Sequence, residues 1–355
     1  MLSSMCRRAC LECSKKCSPW KQEVRYFKQT KDKVSSLKSS SSKVVKKPAP
    51  KQKHVEQQTD KQSLEHLQIE PEFTGRVPFS KLVKPFGFAC VFTACSFGGA
   101  AIWQYEGMRS QALQRFADTF GGYFQTPKRG EFRELLSQWY SKLGGTERTT
   151  LGIIALNVAV FGCWRVRALQ PVMLRWFTAS PAARATCIPM VLSTFSHYAI
   201  WHLAVNMYVL WSFTRGIGRS LGKEQFLAFY LSGGVWSSFL SYFVKVASGR
   251  YIVSVGASGA IMAVLGAFCF QHPDAKLAIV FLPFFTFSAG MGLKALVAIE
   301  TTGVVLGWQF FDHAAHLGGL LFGMFYMAYG HKQLWDKREP LMKSWHKWRG
   351  KPSDV

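Results

Sequence analysis

The stretch YIVSVGASGAIMAVLGAFCFQHP, residues 251 to 273, contains 23 consecutive residues without a charged side chain. Near its start stands the small-residue motif Gly256-Ala257-Ser258-Gly259. A hydrocarbon core about 30 Å thick needs roughly 20 apolar residues of helix, so the stretch predicts a membrane helix. Because a hydroxyl away from water needs a polar partner, the serine in this helix is a candidate functional residue.

The composition of the whole chain supports a membrane setting. The 355 residues are 48% hydrophobic and 15% aromatic, yet they carry a formal net charge of +24, a combination that soluble domains rarely have. Four further uncharged runs, of 21, 16, 30 and 20 residues, occupy 85–105, 149–164, 185–214 and 225–244. We therefore expect an all-α polytopic membrane protein whose partner is the lipid bilayer, with no nucleic acid partner.

The uncharged runs and their breaks predict seven helices. They are expected at about 86–104, 149–165, 199–218, 225–245, 256–272, 290–308 and 313–331. A mixed polar segment, 105–148, separates the first helix from the rest, so one added helix is predicted to precede a six-helix core. The apolar residues 279–287 are interrupted by Pro283 and are predicted to form an extended loop.

The predicted helices divide the chain into four parts: a basic arm (1–80), the added helix with its connecting loop (81–148), the core (149–331) and a basic tail (332–355). Residues 1–53 contain 15 Lys and Arg against three Asp and Glu. They lack the apolar stretch of a secretory signal, which favours a mitochondrial presequence. A solvated, disordered basic arm is the alternative.

The nine cysteines fall into two groups. Cys6, Cys10, Cys13 and Cys17 have a spacing like that of metal ligands, but no histidine or second pair accompanies them, so we expect no metal site. The other five lie in or beside predicted helices and are expected to be packing residues: Cys90, Cys95, Cys163, Cys187 and Cys269. No metal or cofactor is implied.

Ser258 has a candidate partner in His316, 58 positions later and near the start of the last predicted helix. A neutral histidine can accept the serine proton and return it to a leaving amine, so the two would form a nucleophile and a general base and acid. Gly256, Gly259 and Gly319 would let the two helices approach closely. Alternatively, the serine motif serves only the packing of helices against each other.

A second pair of polar residues strengthens the catalytic interpretation. His202 and Asn206 are four positions apart, so they share a face of the third predicted helix. Both side chains can donate hydrogen bonds to an oxyanion, together with the backbone N–H of Ser258 at a helix start. Four polar residues with complementary roles are harder to explain as packing than one.

The motifs His202-Leu-Ala-Val-Asn206, Gly256-Ala-Ser258-Gly259 and Ala315-His316-Leu-Gly-Gly319 resemble the rhomboid intramembrane serine proteases. The added helix, the basic arm and the stretch DHAAHLGG at 312–319 are similar to the mitochondrial presenilin-associated subfamily. The likeness covers about residues 80–340.

The resemblance implies a six-helix core in which Ser258 is the nucleophile, His316 the base and acid, and His202 and Asn206 the oxyanion donors. It also implies an inner mitochondrial membrane location, with the amino end in the matrix and the carboxyl end in the intermembrane space. Single-span membrane proteins would be the substrates, among them the dynamin-like fusion GTPase and the kinase that marks damaged mitochondria, with roles in fusion and quality control.

Two features depart from the rhomboid pattern. Met262 stands where many rhomboids have a tyrosine that stacks under the base, so His316 must be held by other contacts. The Trp-Arg pair of the first core loop is reversed, as Arg175-Trp176.

Several polar residues near the motifs have open roles. Asp312 could be a third member of a triad, but its place at a helix start favours capping. Glu300 either belongs to a gate on the fifth core helix or pairs with a neighbour. His197 and His313 are expected to be interfacial or supporting residues.

The competing functions are a catalytically inactive rhomboid-like protein that binds membrane helices and, more remotely, a transporter. A binder needs neither Ser258 nor His316, so the presence of both argues against it. A transporter would show internal symmetry between its halves, which we do not find in this sequence.

Overall fold

The fold is built from apolar helices, and the computed structural model describes residues 75–120, 131–279 and 282–350. The α-helices are α1 (Val83–Phe120), α2 (Glu131–Lys142), α3 (Gly145–Cys163), α4 (Gln170–Trp176), α5 (Cys187–Leu192), α6 (Ile200–Ser248), α7 (Ser258–Gln271), α8 (Ala289–Leu306), α9 (His313–Phe325) and α10 (Glu339–Arg349). Short 3-10 turns cover Phe79–Leu82, Arg167–Leu169 and Ser193–Phe195, and α9 continues as a π-helix over Tyr326–Trp335.

Each of the seven predicted segments coincides with helix. The third and fourth form the two halves of α6, which bends at Gly222, where φ is 73° and the backbone leaves the helical region. Glycine tolerates this conformation because it lacks a Cβ. The polytopic all-α class is confirmed, while the arrangement of one added helix and six core helices stays a prediction.

Length and hydropathy alone single out fewer membrane spans. Among the described residues, three helical segments are long and apolar enough to cross a bilayer: Phe79–Ala112, Ile200–Ser248 and Ala289–Leu306. Gly145–Cys163 with Arg167–Trp176, bent by 99°, would make a fourth. Since α7 has only 14 residues, it falls in a shorter class of apolar helix.

The predicted end of the first helix was wrong, and two segments predicted to lack helix contain it. The first helix continues to Phe120 rather than ending near residue 104, and two polar helices, α2 and α10, lie in segments predicted as loop and tail. The apolar segment after α7 is extended as predicted, but it forms an antiparallel hairpin of β1 (Lys276–Ile279) and β2 (Leu282–Ser288).

Buried side chains of α1, α3, α6, α7 and the π-helix that continues α9 form most of the main core. Helix α1 packs on the second half of α6, where Trp236 Nε1 donates to Thr93 Oγ1 at 3.0 Å. Further along α1, Trp345 Nε1 of α10 donates to Glu106 Oε1 at 2.9 Å, and Arg349 pairs with the same carboxylate. The carboxyl-terminal helix is therefore fastened to the first helix.

The cysteines differ in environment. Cys269 is fully buried, as a packing residue should be, and Cys163 and Cys187 are half-buried. Cys90 and Cys95 are exposed on α1, so the packing role predicted for them is wrong. Cys6, Cys10, Cys13 and Cys17, like most of the predicted basic arm, lie outside the described residues.

Candidate active site

The structure brings the two residues of the predicted catalytic pair together. Ser258 begins α7 and His316 lies in the first turn of α9. The Oγ atom of Ser258 is 2.9 Å from Nε2 of His316, within hydrogen-bonding distance. His316 is only 8% exposed. A serine and a histidine that are distant in sequence thus have the geometry of a nucleophile and its base.

Glycines permit this close approach of α7 and α9. A Cβ added at Gly319 would lie 2.0 Å from the backbone O of Gly259. Gly259 also packs against α6, where an added Cβ would lie 1.8 Å from Ser237 Oγ. One turn further along α9, a Cβ at Gly323 would lie 2.2 Å from the Ala263 O. Since no larger residue fits at Gly319 or Gly323, the backbones of α7 and α9 pack directly against each other.

Glu300 of α8 supports the histidine from its other side. Its Oε1 lies 3.1 Å from Nδ1 of His316, and its Oε2 lies 2.6 Å from Nδ1 of His313. A carboxylate only accepts hydrogen bonds, so Nδ1 of His316 carries a proton and Nε2 is free to accept one from Ser258. Of the two roles considered for Glu300, pairing is the one observed, and its partners are the two histidines.

The aromatic loop after α8, residues 308–311, provides a further contact for His316. The ring of Phe311 lies 6.0 Å from the imidazole ring, measured between centroids, and is tilted by 34°. Glu300 and Phe311 are thus contacts that hold His316 although Met262 replaces the stacking tyrosine.

Asp312 has the capping role rather than the triad role. Its Oδ1 accepts a hydrogen bond from the backbone N–H of Ala315 at 3.0 Å, which caps α9. Its Oδ2 lies 2.9 Å from Nζ of Lys245 and also accepts hydrogen bonds from Ser241 and Ser254. The carboxylate that contacts the His316 side chain belongs to Glu300, so the alternative of Asp312 as a third triad member was wrong.

His202 and Asn206 share a face of α6 near the site but differ in their contacts. His202 lines the same cavity as Ser258 and His316, and its ring packs on Gly256, where a Cβ would lie 2.7 Å from His202 Cε1. Asn206 is buried, and its Nδ2 donates to the backbone O of His202 at 2.7 Å. Of the two predicted donors, His202 therefore has direct access to the cavity.

His197 and His313 are buried supporting residues. His197 Nε2 accepts a hydrogen bond from the Ala257 N–H at 3.4 Å, next to the serine, and its ring centroid lies 4.9 Å from that of His202. His313 pairs with Glu300, as described above. The expectation of a supporting role fits these contacts, and both side chains are almost completely buried within the protein. A position at the membrane interface stays a prediction.

A cavity of about 270 Å³ opens beside the serine and histidine. Apart from these residues, its lining includes the cations Lys245 and Arg250 and the aromatic loop 308–311. In the part of the chain that the structure describes, no cluster of three or more His, Cys, Asp or Glu side chains could hold a metal ion. The arrangement is suited to nucleophilic attack by Ser258 on a carbonyl held in this cavity.

The chain is similar to known proteins of one family. The model of the Rhomboid domain family matches residues 184–333. The chain is similar to the presenilin-associated rhomboid-like protein, mitochondrial, of Bos taurus, with 54% identity over 77% of this chain and 73% of that protein. The Homo sapiens protein of the same name is 53% identical over the same shares. Rhomboid protein 1, mitochondrial, of Saccharomyces cerevisiae is 32% identical over 55% of this chain and 57% of its own length.

Proposed function

The chain belongs to the rhomboid family, within its mitochondrial presenilin-associated group, and from this premise we propose that it is an active intramembrane serine endopeptidase. The observation that carries the proposal is the 2.9 Å contact between Ser258 Oγ and His316 Nε2, with Glu300 on the opposite side of the imidazole. Family membership and the apolar helices make it a mitochondrial membrane protein with the features of an intramembrane protease.

The reaction follows from the protonation state that Glu300 imposes. As Ser258 Oγ attacks a substrate carbonyl, Nε2 of His316 takes the serine proton, and the Glu300 carboxylate stabilises the resulting imidazolium. His316 then donates this proton to the leaving amine, which leaves an ester on Ser258. A water molecule that gives its proton to His316 hydrolyses the ester and restores the enzyme.

The oxyanion of the tetrahedral intermediate needs hydrogen-bond donors. The N–H of Ser258 lies in the first turn of α7, where backbone donors and the helix dipole favour negative charge. His202 donates from the cavity wall. Asn206 contributes with its second amide hydrogen, or after its bond to the His202 carbonyl opens.

The shortness of α7 suits hydrolysis below a membrane surface. At 1.5 Å per residue its 14 residues extend about 21 Å, against a hydrocarbon core of about 30 Å. With the Gln271 end at one interface, Ser258 lies roughly 10 Å below the other. The substrate helix unwinds there, since the carbonyls of an intact helix are shielded and already bonded.

Helix α8 is the proposed entry side for substrate. Val305 and Leu306 near its end are 77% and 62% exposed, and the aromatic loop that follows contacts both histidines. We place the chain in the inner membrane, with the amino end in the matrix and the carboxyl end in the intermembrane space. The proposed substrates are single-span inner-membrane proteins, including the dynamin-like fusion GTPase and the damage-sensing kinase, which links the enzyme to fusion and quality control.

Cleavage of a single-span reporter by the purified full chain tests the proposal. Wild type is expected to cut the reporter, and Ser258→Ala and His316→Ala are expected to lose activity. Ser220→Ala and His272→Ala, which change the same residue types away from the cavity, are the matched controls. Cleavage by Ser258→Ala at the wild-type rate would exclude the serine mechanism. Absence of cleavage by wild type across a range of reporters, with reporter binding retained, would favour the inactive binder.

A further inference from the structure

Arg250 has no role in the proposed reaction, yet it lines the cavity that contains Ser258 and His316. It follows Gly249, which ends α6 in the left-handed conformation with φ of 70°. This turn directs the chain from α6 into the segment that leads to Ser258. Arg250 is exposed, so its guanidinium is accessible to a molecule in the cavity.

The other charged side chains of the cavity are already paired. Lys245 lies 2.9 Å from Asp312, so these two charges balance. Next to the cavity, Glu300 contacts His313 and His316. Arg250 donates from Nη1 to the backbone O of Gly307 at 3.1 Å, and no carboxylate among the described residues forms an ion pair with it. One positive charge in the cavity therefore lacks a negative partner.

We propose that Arg250 is a specificity-determining residue that binds an acidic side chain of the substrate close to the scissile bond. The inference rests on the proposed protease function and adds a substrate preference to it. A guanidinium presents parallel N–H donors that match a carboxylate, and such charge-assisted bonds are stronger than neutral ones. Apolar lining residues such as Ile252, Val253 and Phe310 reduce competition from water.

The same charge disfavours basic residues. An unwound substrate advances about 3.3 Å per residue, so only a few positions on either side of the cut lie near the cavity. We expect the preference to be confined to one or two of these positions, and Lys or Arg there to be rejected. The expected preference for Glu over Gln at such a position is about tenfold in kcat/KM.

Arg250 also has a structural contact that must be separated from substrate recognition. Its bond to the Gly307 carbonyl holds the start of the aromatic loop, and Gly307 adopts a left-handed conformation with φ of 67°. Loss of this contact would slow the cleavage of every substrate to the same extent. Recognition of an acidic residue would instead change the ratio between substrates, which makes the ratio the informative measurement.

The test uses one single-span reporter in which each of the four residues on either side of the cut is replaced in turn by Glu, Gln or Lys. The purified full chain is measured as wild type, Arg250→Gln, Arg250→Glu and, as a matched control, Arg219→Gln, an exposed arginine outside the cavity. At one or two positions, wild type and Arg219→Gln should prefer Glu over Gln about tenfold in kcat/KM. Arg250→Gln should abolish the preference, and Arg250→Glu should reverse it in favour of Lys.

The possible failures of this test are distinguishable. If wild type cleaves and Ser258→Ala does not, but the ratios are the same in wild type and Arg250→Gln, the specificity role is wrong and the protease function stands. An equal loss for all reporters in Arg250→Gln would leave only the contact with Gly307. If wild type cleaves no reporter, both the protease function and the substrate preference are refuted.

Discussion

Helix α9 packs in different ways against its two neighbours at the site. Against α7 the backbones touch, and a Cβ at Gly319 would lie only 2.0 Å from the Gly259 carbonyl. Against α8 an important polar contact is made through side chains, with Glu300 between two histidines, while the end of α8 is largely exposed. We call the contact between α7 and α9 the tight seam and the contact between α8 and α9 the looser seam. The tight seam fixes the distance from serine to histidine, whereas the looser seam supplies the carboxylate and the proposed entry path.

The substitution Gly319→Leu tests the close packing of α7 against α9 and should have the largest effect. No rotamer can avoid the Gly259 carbonyl, so α7 and α9 must separate and activity should be lost completely. Overpacking also destabilises by about 1–3 kcal/mol or more. Reporter cleavage and thermal unfolding in detergent measure the two effects. Gly152→Leu, at a helix position with open space around it, is the control and should keep its activity. A fully active Gly319→Leu would refute the tight seam.

Glu300→Gln tests the looser seam. A neutral amide cannot balance the imidazolium or enforce the proton on Nδ1, so kcat should fall roughly 10²–10⁴-fold. The KM should change little, because Glu300 does not line the cavity. Lys294→Gln on the same helix is the matched control. A change confined to KM would contradict the positioning role.

Asp312→Asn tests the cap that holds the start of α9 in place. The substitution leaves Lys245 without its carboxylate and weakens the bonds to Ser241 and Ser254, so stability should fall by about 3 kcal/mol. Activity should fall less than in Glu300→Gln at a temperature where the protein remains folded. Unfolding in detergent and steady-state cleavage measure the two quantities. An activity loss as large as that of Glu300→Gln would restore Asp312 as a candidate triad member.

A matched pair of leucines compares the packed interior of the site with the exposed end of α8, with the smallest expected effects. The buried leucine belongs to an apolar cluster with Cys269 of α7 and with Ala289 and Leu293 of α8. Leu320 on α9 is fully buried, whereas Leu306 on α8 is 62% exposed. Leu320→Ala should destabilise by about 1–3 kcal/mol through the cavity that it leaves, since lipid reduces the transfer contribution. Leu306→Ala should remain within about 0.5 kcal/mol of wild type. Equal losses in both variants would mean that the end of α8 is packed as tightly as this cluster.

The sequence predicted the tight seam better than the looser one. The boundaries of α7 were predicted to within two residues, because the uncharged run and the small residues around Ser258 reflect the packing itself. The end of α1 was missed because the helix continues past Glu106, beyond the run without charges. The amphipathic helices α2 and α10 were missed for a related reason: their polar residues hide them from a search for apolar runs.

The carboxylate partner of His316 could not be identified from spacing. Asp312 is four residues before His316, which suggests a shared helix face, but its position at the helix start turns its carboxylate toward the Ala315 N–H. Glu300 is 16 residues away across a loop, and no helical periodicity relates it to His316. Only the tertiary packing of α8 on α9 selects between the two acids.

The fastening of α10 to α1 has a consequence for biogenesis. Glu106 and Trp345 are separated by 239 residues, so this part of α1 acquires these partners only after residue 345 has been made. At about 5–20 residues per second, translation between these two positions takes roughly 10–50 s. During that interval Glu106 lacks these partners, so the docking of α10 on α1 comes late in the assembly of the fold.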